Sequence, residues 1–94
     1  MINENVLNEA RTMIASFLAN RRKELGFTQI ELASITGMGE ATIKRVESGK
    51  FWINLKQYLI LCQALNCYPF IAGKEKDEEW VKLMRDRWGK RGDN

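Results

Sequence analysis

The chain has 94 residues, with 15 lysines and arginines, 12 aspartates and glutamates, no histidine and a formal net charge of +3. This length predicts one small domain, and the 45% of apolar residues is enough for a packed core without disulfides or metal. The lack of histidine removes the commonest general acid and metal ligand, so the composition argues against an enzyme and against a metal site.

The two cysteines and the longest apolar stretch indicate the environment of the protein. Cys62 and Cys67 have no further ligands for zinc near them in the sequence and are typical of thiols in a reducing cytosol. The stretch 52–72 is interrupted by polar residues and by Pro69, so it does not predict a membrane span. We therefore expect a cytoplasmic protein with no membrane partner, no cofactor and no small-molecule substrate.

The first predicted helix is long and amphipathic and covers about residues 4–25. Its apolar face recurs at three- and four-residue steps and consists of Val6, Ala10, Met13, Ile14, Phe17, Leu18 and Leu25, with Arg21 among them. Gly26 follows the last apolar position and suits the residue after a helix, which often takes a positive φ.

Two short helices are predicted next, with a glycine-containing turn between them. Thr28 and Glu31 have the spacing of a capping box, which predicts a second helix from Thr28 to about Ile35. Gly37 and Gly39 interrupt it, and Gly39 can cap a third helix over residues 40–47. The residues of this region that we expect in the core are Leu32, Ala33, Ile35, Met38, Ile43 and Val46.

The remaining residues predict two more helices. Asn54 can cap a fourth helix that carries apolar residues as far as Leu65, and Asn66 suits the position after it. Residues 73–79 are almost all charged, and a fifth helix is predicted over residues 78–88. Its apolar stripe consists of Trp80, Leu83, Met84 and Trp88. Residues 89–94 are predicted to form a frayed tail.

Two short helices joined by such a turn are typical of a helix-turn-helix. The segment resembles the Cro/repressor-type (XRE-like) helix-turn-helix family over about residues 17–70, through Thr28-Gln29-x-Glu31-Leu32-Ala33-x-x-x-Gly37-Met38-Gly39-x-x-Thr42-Ile43-x-x-Val46-Glu47-x-Gly49-Lys50. The resemblance implies an all-α, lambda-repressor-like five-helix bundle with the helix-turn-helix at helices 2 and 3. We expect the DNA-binding domain, with its extended first helix, over residues 1–73, and a charged linker, C-terminal helix and tail over residues 74–94.

The third helix separates its side chains into two faces. At 3.6 residues per turn, Val46 and Glu47 fall on the side of Ile43, and the opposite side carries Ala41, Lys44, Arg45 and Ser48. Such a helix fits the major groove of B-DNA. Arg45 can donate two hydrogen bonds to guanine, and Ala41 can contact the methyl group of thymine. Glu40 can accept a hydrogen bond from cytosine, and Lys44 can reach a base or a phosphate.

The resemblance adds roles for further residues. It implies base contacts at Gln29, Glu40, Ala41 and Arg45, a phosphate anchor and brace at Gln29, and a structural ion pair between Arg22 and Glu47. The residues that we expect at DNA phosphates are Thr28, Gln29, Arg21, Ser48 and Lys50. Two alternatives stay open. Arg21 and Lys23 fit either phosphate contacts or plain solvated charges. The Phe51-Trp52 loop, with Lys50 before it, can hold phosphates through backbone N–H groups, or Phe51 and Trp52 pack over the fourth helix.

Together these features predict a sequence-specific transcriptional regulator, a repressor that binds double-stranded DNA as a homodimer with helix 40–47 in the major groove. The alternative is an antitoxin or other interaction module, because antitoxins often carry this fold and the stripe from Trp80 to Trp88 could dock on a toxin. We favour fold-back of this stripe or a homodimer contact over toxin binding. We expect a bacterial or phage protein associated with the nucleoid.

Overall fold

In a computed structural model of the protein, the described residues are 2–69 together with Lys82 and Asp86. Over these residues the protein is all-α, with four helices and no strand: α1 (Glu4–Glu24), α2 (Gln29–Thr36), α3 (Glu40–Glu47) and α4 (Leu55–Ala64). Lys82 and Asp86 are helical. The rest of the predicted fifth helix and the predicted tail lie outside the described residues, as does the boundary proposed at residue 73.

Local capping interactions explain where the helices begin and end. Thr28 Oγ1 accepts a hydrogen bond from the Glu31 backbone N–H at 3.0 Å, and Glu31 Oε1 accepts one from the Thr28 N–H at 2.8 Å. This confirms the predicted capping box, with Thr28 as the cap and Gln29 as the first helical residue. Asn54 caps α4 in the same way through Gln57. Gly26 takes the positive φ of +83° that its position after α1 predicts.

The core lies where the four helices meet. Its buried members are Leu18, Leu32, Ala33, Ile43, Val46, Leu61 and Leu65, and Met38 and Phe51 pack against them while partly buried. The prediction for Ile35 is wrong, because this side chain is 53% exposed. The helix α2 is apolar on more than one side, and Leu32 and Ala33 turn inward while Ile30 and Ile35 face outward. Periodicity alone therefore did not identify its inner face.

The inner face of α1 is not the apolar face that periodicity predicts. The buried residues of α1 are Ala15, Leu18 and Arg22. Met13 is 71% exposed and Phe17 is 58% exposed, and Val6 and Ile14 are exposed too. The reason is that the core side of α1 carries arginines, which find polar partners on other helices. An apolar stripe is consequently left on the outer side of the helix.

Candidate nucleic-acid interface

The turn between α2 and α3 sets the angle between these helices. Gly37 takes a φ of +73° and its N–H donates to the Ala33 carbonyl, so it closes α2 in a left-handed conformation that favours glycine. Thr36 Oγ1 donates to the Leu32 carbonyl at 2.8 Å and accepts from the Met38 N–H at 3.3 Å. Backbone groups at the turn are thereby satisfied within the motif.

The helix α3 presents the two faces that its sequence predicts. Ile43 and Val46 are buried against the core. The outer face is exposed and carries Ala41, Lys44, Arg45 and, directly after the helix, Ser48. Glu40, in the first turn, is half-buried and its Oε2 lies 3.3 Å from Lys44 Nζ. A helix about 10–12 Å wide with this exposed face matches a major groove about 12 Å wide.

A buried ion pair holds α3 against α1. Arg22 Nε donates to Glu47 Oε2 at 2.7 Å, and Arg22 Nη2 donates to Glu47 Oε1 at 3.0 Å. Gln29 Nε2 donates to the same Glu47 Oε1 at 2.9 Å. The hydrogen bond to Glu47 raises the pKa of the Arg22 guanidinium above its ordinary value, so this guanidinium is charged at neutral pH. Gln29 thus braces α3 from the start of α2, and its amide has a second N–H that can reach a phosphate.

The guanidinium of Arg45 is placed by an aromatic ring. Its Cζ lies 5.4 Å from the centroid of the Phe51 ring, within the range of a cation–π contact. Phe51 itself is partly buried and packs against the core, so the ring is a fixed support. Trp52, the next residue, is exposed. Phe51 therefore packs against the core, whereas the Trp52 side chain is exposed.

The predicted phosphate contacts differ in what their side chains already do. The Thr28 hydroxyl oxygen accepts the capping bond of α2. Ser48 Oγ donates to the Arg45 carbonyl at 2.6 Å and accepts from the Lys50 N–H at 3.2 Å, so its hydroxyl proton is engaged. Lys50 is exposed, and among the ion pairs of the described residues none involves its ammonium group. Of these three residues, Lys50 is the one whose side chain carries a positive charge that a phosphate can attract.

Arg21 has a structural engagement that the sequence did not indicate. Its Nε donates to the Leu65 carbonyl at 2.9 Å and its Nη2 to the Asn66 carbonyl at 3.4 Å. These carbonyls end α4, where a cation is favoured by the helix dipole. Arg21 also forms an exposed ion pair with Glu24 at 3.4 Å. Its guanidinium therefore ties α1 to α4, and a phosphate contact would have to share it.

Arg11 is a residue of this region that sequence reasoning missed. Its Nε donates to the Gly49 carbonyl at 2.7 Å, directly after α3, and its Cζ lies 4.9 Å from the centroid of the Trp52 ring. Arg11 lies four residues before Ala15 and seven before Leu18, on the buried face of α1. That spacing was the available signal, but the predicted inner face of α1 did not include Arg11.

The geometry therefore joins two short helices, a glycine turn, an exposed basic face and a bracing ion pair. A helix-turn-helix family model matches residues 18–70, more than half of the chain. The chain belongs to the Cro/repressor-type helix-turn-helix family. Membership in this DNA-binding regulatory family gives the chain the role of a DNA-binding transcription regulator. Neither the curated proteins nor the solved structures include a match to the chain.

The described residues contain no metal-binding cluster. Across residues 2–69 with Lys82 and Asp86, no three His, Cys, Asp or Glu side chains are grouped so that they could hold a metal ion. Over those residues, too, no helix combines the length and the apolar character that crossing a membrane requires.

Proposed function

We propose that this helix-turn-helix protein is a repressor that reads double-stranded DNA sequence-specifically with α3 in the major groove. The observation that carries the proposal is the placement of Arg45, which is exposed on the outer face of α3 and supported by the Phe51 ring at 5.4 Å. A supported guanidinium loses less conformational entropy when it forms two parallel hydrogen bonds. Such a pair to O6 and N7 of guanine is the commonest specific contact in the major groove.

The other residues of α3 add to the proposed contact. Ala41 is exposed and small enough to lie against a thymine methyl group. Lys44 and Glu40 form an ion pair at the surface, which is weak and exchangeable in water. On DNA we expect Lys44 to turn to a base or phosphate, which leaves Glu40 to accept from a cytosine amino group. Gln29 would reach a base edge or phosphate from the start of α2.

We further propose that the protein acts as a homodimer. One α3 presents few side chains to the bases, and two copies related by a twofold axis double that number on half-sites about 34–36 Å apart. A bacterial or phage chromosome is the proposed location of the operator. The antitoxin alternative rests on residues 80–88, which apart from Lys82 and Asp86 lie outside the described residues, so toxin binding stays a prediction.

Selection of bound sequences from a random DNA pool tests the proposal. The wild-type chain should enrich a palindrome whose half-sites are about 10 base pairs apart. Arg45→Ala should lose about 1–3 kcal/mol of specific binding and relax the preference at one base pair of each half-site. The matched control is Lys82→Ala, which removes one exposed positive charge outside the matched residues and should keep the preference.

Three results would count against the proposal. No enrichment would exclude sequence-specific reading. Wild-type preference in Arg45→Ala would exclude Arg45 as a reader of bases. An enriched site without a repeat would exclude the twofold dimer while leaving the reading helix in place.

A further inference from the structure

An open apolar groove lies between α1 and α4. We define the α1–α4 groove by Met13, Ile14, Phe17, Tyr58 and Tyr68, which line a cavity of about 230 Å³. A second cavity of about 340 Å³ adjoins it and shares Ile14 and Tyr58. The exposed apolar stripe of α1 forms one wall of this groove.

Such a surface favours an occupant. Single exposed apolar residues are normal, but neighbouring ones that line one groove mark an interaction surface. Within residues 2–69 nothing covers Met13, which is 71% exposed, or Phe17, which is 58% exposed. The question is which molecule covers them.

The course of the chain favours its own next segment. The described stretch 2–69 ends beside the groove, because Tyr68 is one of the residues that line it. The ten residues from 70 to 79 can span at most about 35 Å. The stripe of α1 from Val6 to Phe17 is about 16 Å long at 1.5 Å per residue. Every part of the groove is therefore within reach of the segment that starts at residue 80.

The sequence of that segment has a matching apolar face. Trp80, Met84 and Trp88 recur at every fourth residue, the spacing of one helical face about 12 Å long. Lys82 and Asp86 are helical and exposed, and they are offset from the first set by two residues, or about 200° of helical rotation. At helical spacing, Lys82 and Asp86 thus fall on the face opposite to the apolar residues of this segment.

Charge favours the same pairing. Arg85 and Arg87 lie between Met84 and Trp88 in the sequence. On α1, the exposed acids Glu9 and Glu24 lie before and after the Met13–Phe17 stretch. Opposite charges at the rim of an apolar contact guide its register, although each exposed pair stabilises little.

We propose that residues 80–88 fold back and cover the α1–α4 groove of the same chain, with Trp80, Met84 and Trp88 against Met13 and Phe17. A second copy is the weaker occupant for a physical reason. A short tether raises the effective concentration of the segment to the mM range, so the contact within one chain forms first. This inference does not rest on DNA binding.

Tryptophan fluorescence of the full chain tests the contact. In a Trp52→Phe background the emission comes from Trp80 and Trp88 alone. We expect emission shifted to the blue of the same protein in denaturant, and weak quenching by acrylamide. Met13→Glu should shift the emission to the red and raise the quenching. The matched control is Ile30→Glu, at a residue that is 62% exposed on α2 and outside the groove, and it should change neither. Helical circular dichroism reports that each variant is folded.

A mixing experiment separates contact within one chain from contact with a second copy. Met84→Glu, in the same background, should also shift the emission to the red. When the two variants are mixed, the Met13→Glu chain supplies intact residues 80–88 and the Met84→Glu chain supplies an intact groove. These two parts can meet only between molecules. Unchanged emission after mixing supports fold-back, and recovery of the blue emission overturns it in favour of a second copy. Emission equal to that in denatured protein, insensitive to Met13→Glu, overturns it in favour of an uncovered groove.

Discussion

Arg22 on α1 and Glu47 at the end of α3 form two parallel hydrogen bonds, at 2.7 and 3.0 Å, with both side chains about nine-tenths buried. Arg22 Nη1 also donates to the Phe27 carbonyl at 2.7 Å, and Gln29 donates to Glu47. One guanidinium therefore connects α1, the loop before α2 and the last turn of α3. The orientation of the outer face of α3 depends on this connection.

Removing one partner of this pair should destabilise the fold more than removing both. Arg22→Ala leaves the Glu47 carboxylate buried without its cation and should cost about 3–5 kcal/mol. The double variant Arg22→Met/Glu47→Leu should cost less, because apolar side chains of similar size fill the site without a buried charge. Urea denaturation of both variants measures the difference. Equal losses, or a loss under about 1 kcal/mol in Arg22→Ala, would show that the pair contributes little to stability.

Lys50 should contribute to DNA affinity without contributing to sequence preference. Lys50→Ala removes an exposed positive charge, so we expect binding to all sequences to weaken about equally. The slope of log K against log salt should fall in magnitude by about one. Lys50→Arg is the matched control, since it keeps the charge and should keep the slope. A slope unchanged in Lys50→Ala would remove Lys50 from the phosphate contacts.

The two glycines of the turn should respond differently to an added side chain. A Cβ at either position would have no other atom within 4 Å, so space is available at both. Gly37 has a φ of +73°, and Gly37→Ala should therefore cost about 1–2 kcal/mol. Gly39 has a φ of −63° as the cap of α3, and Gly39→Ser should stabilise by a few tenths of a kcal/mol. Thermal denaturation checks both, and equal effects would mean that backbone conformation is not the cause.

Stability should fall in alkaline solution because of two titratable groups on α4, the buried Cys62 and the half-buried Tyr58. Burial raises the pKa of the Cys62 thiol from 9.0 to about 11, and burial with the neighbouring Cys62 raises the pKa of Tyr58 from 10.0 to about 12. The unfolded chain loses these protons at lower pH than the folded protein does. Their contribution is therefore complete below about pH 9 and is lost as the pH rises towards 11 for Cys62 and 12 for Tyr58.

Urea denaturation between pH 8 and 11 measures this dependence. Cys62→Ala should make the decline in unfolding free energy smaller by about 1–3 kcal/mol over that range, because the titrating thiol is gone. Removing the sulfur also lowers the free energy of unfolding by an amount that does not depend on pH. This amount is measured at pH 8 and subtracted. A decline as steep as that of the wild-type protein would show that Cys62 does not titrate differently in the two states.

Features that depend on neighbouring residues were predictable from the sequence. The capping box of Thr28 and Glu31, the left-handed Gly37 and the two faces of α3 all follow from interactions within about four residues. The same short-range pattern carries the family resemblance. Features that depend on distant partners were not predictable, and the outward position of Ile35 and the support of Arg45 by Phe51 are two examples.

The helix ends of α2 to α4 and the exposed face of α3 follow from the sequence, because caps, glycine conformations and helical periodicity are local. Which side of α1 faces the core depends on contacts with other parts of the chain. Arg11, Arg21 and Arg22 take their partners 38, 44 and 25 residues away, at Gly49, Leu65 and Glu47. Those bonds turn the charged side of α1 inward and leave its apolar stripe outside, a choice that apolar periodicity cannot register.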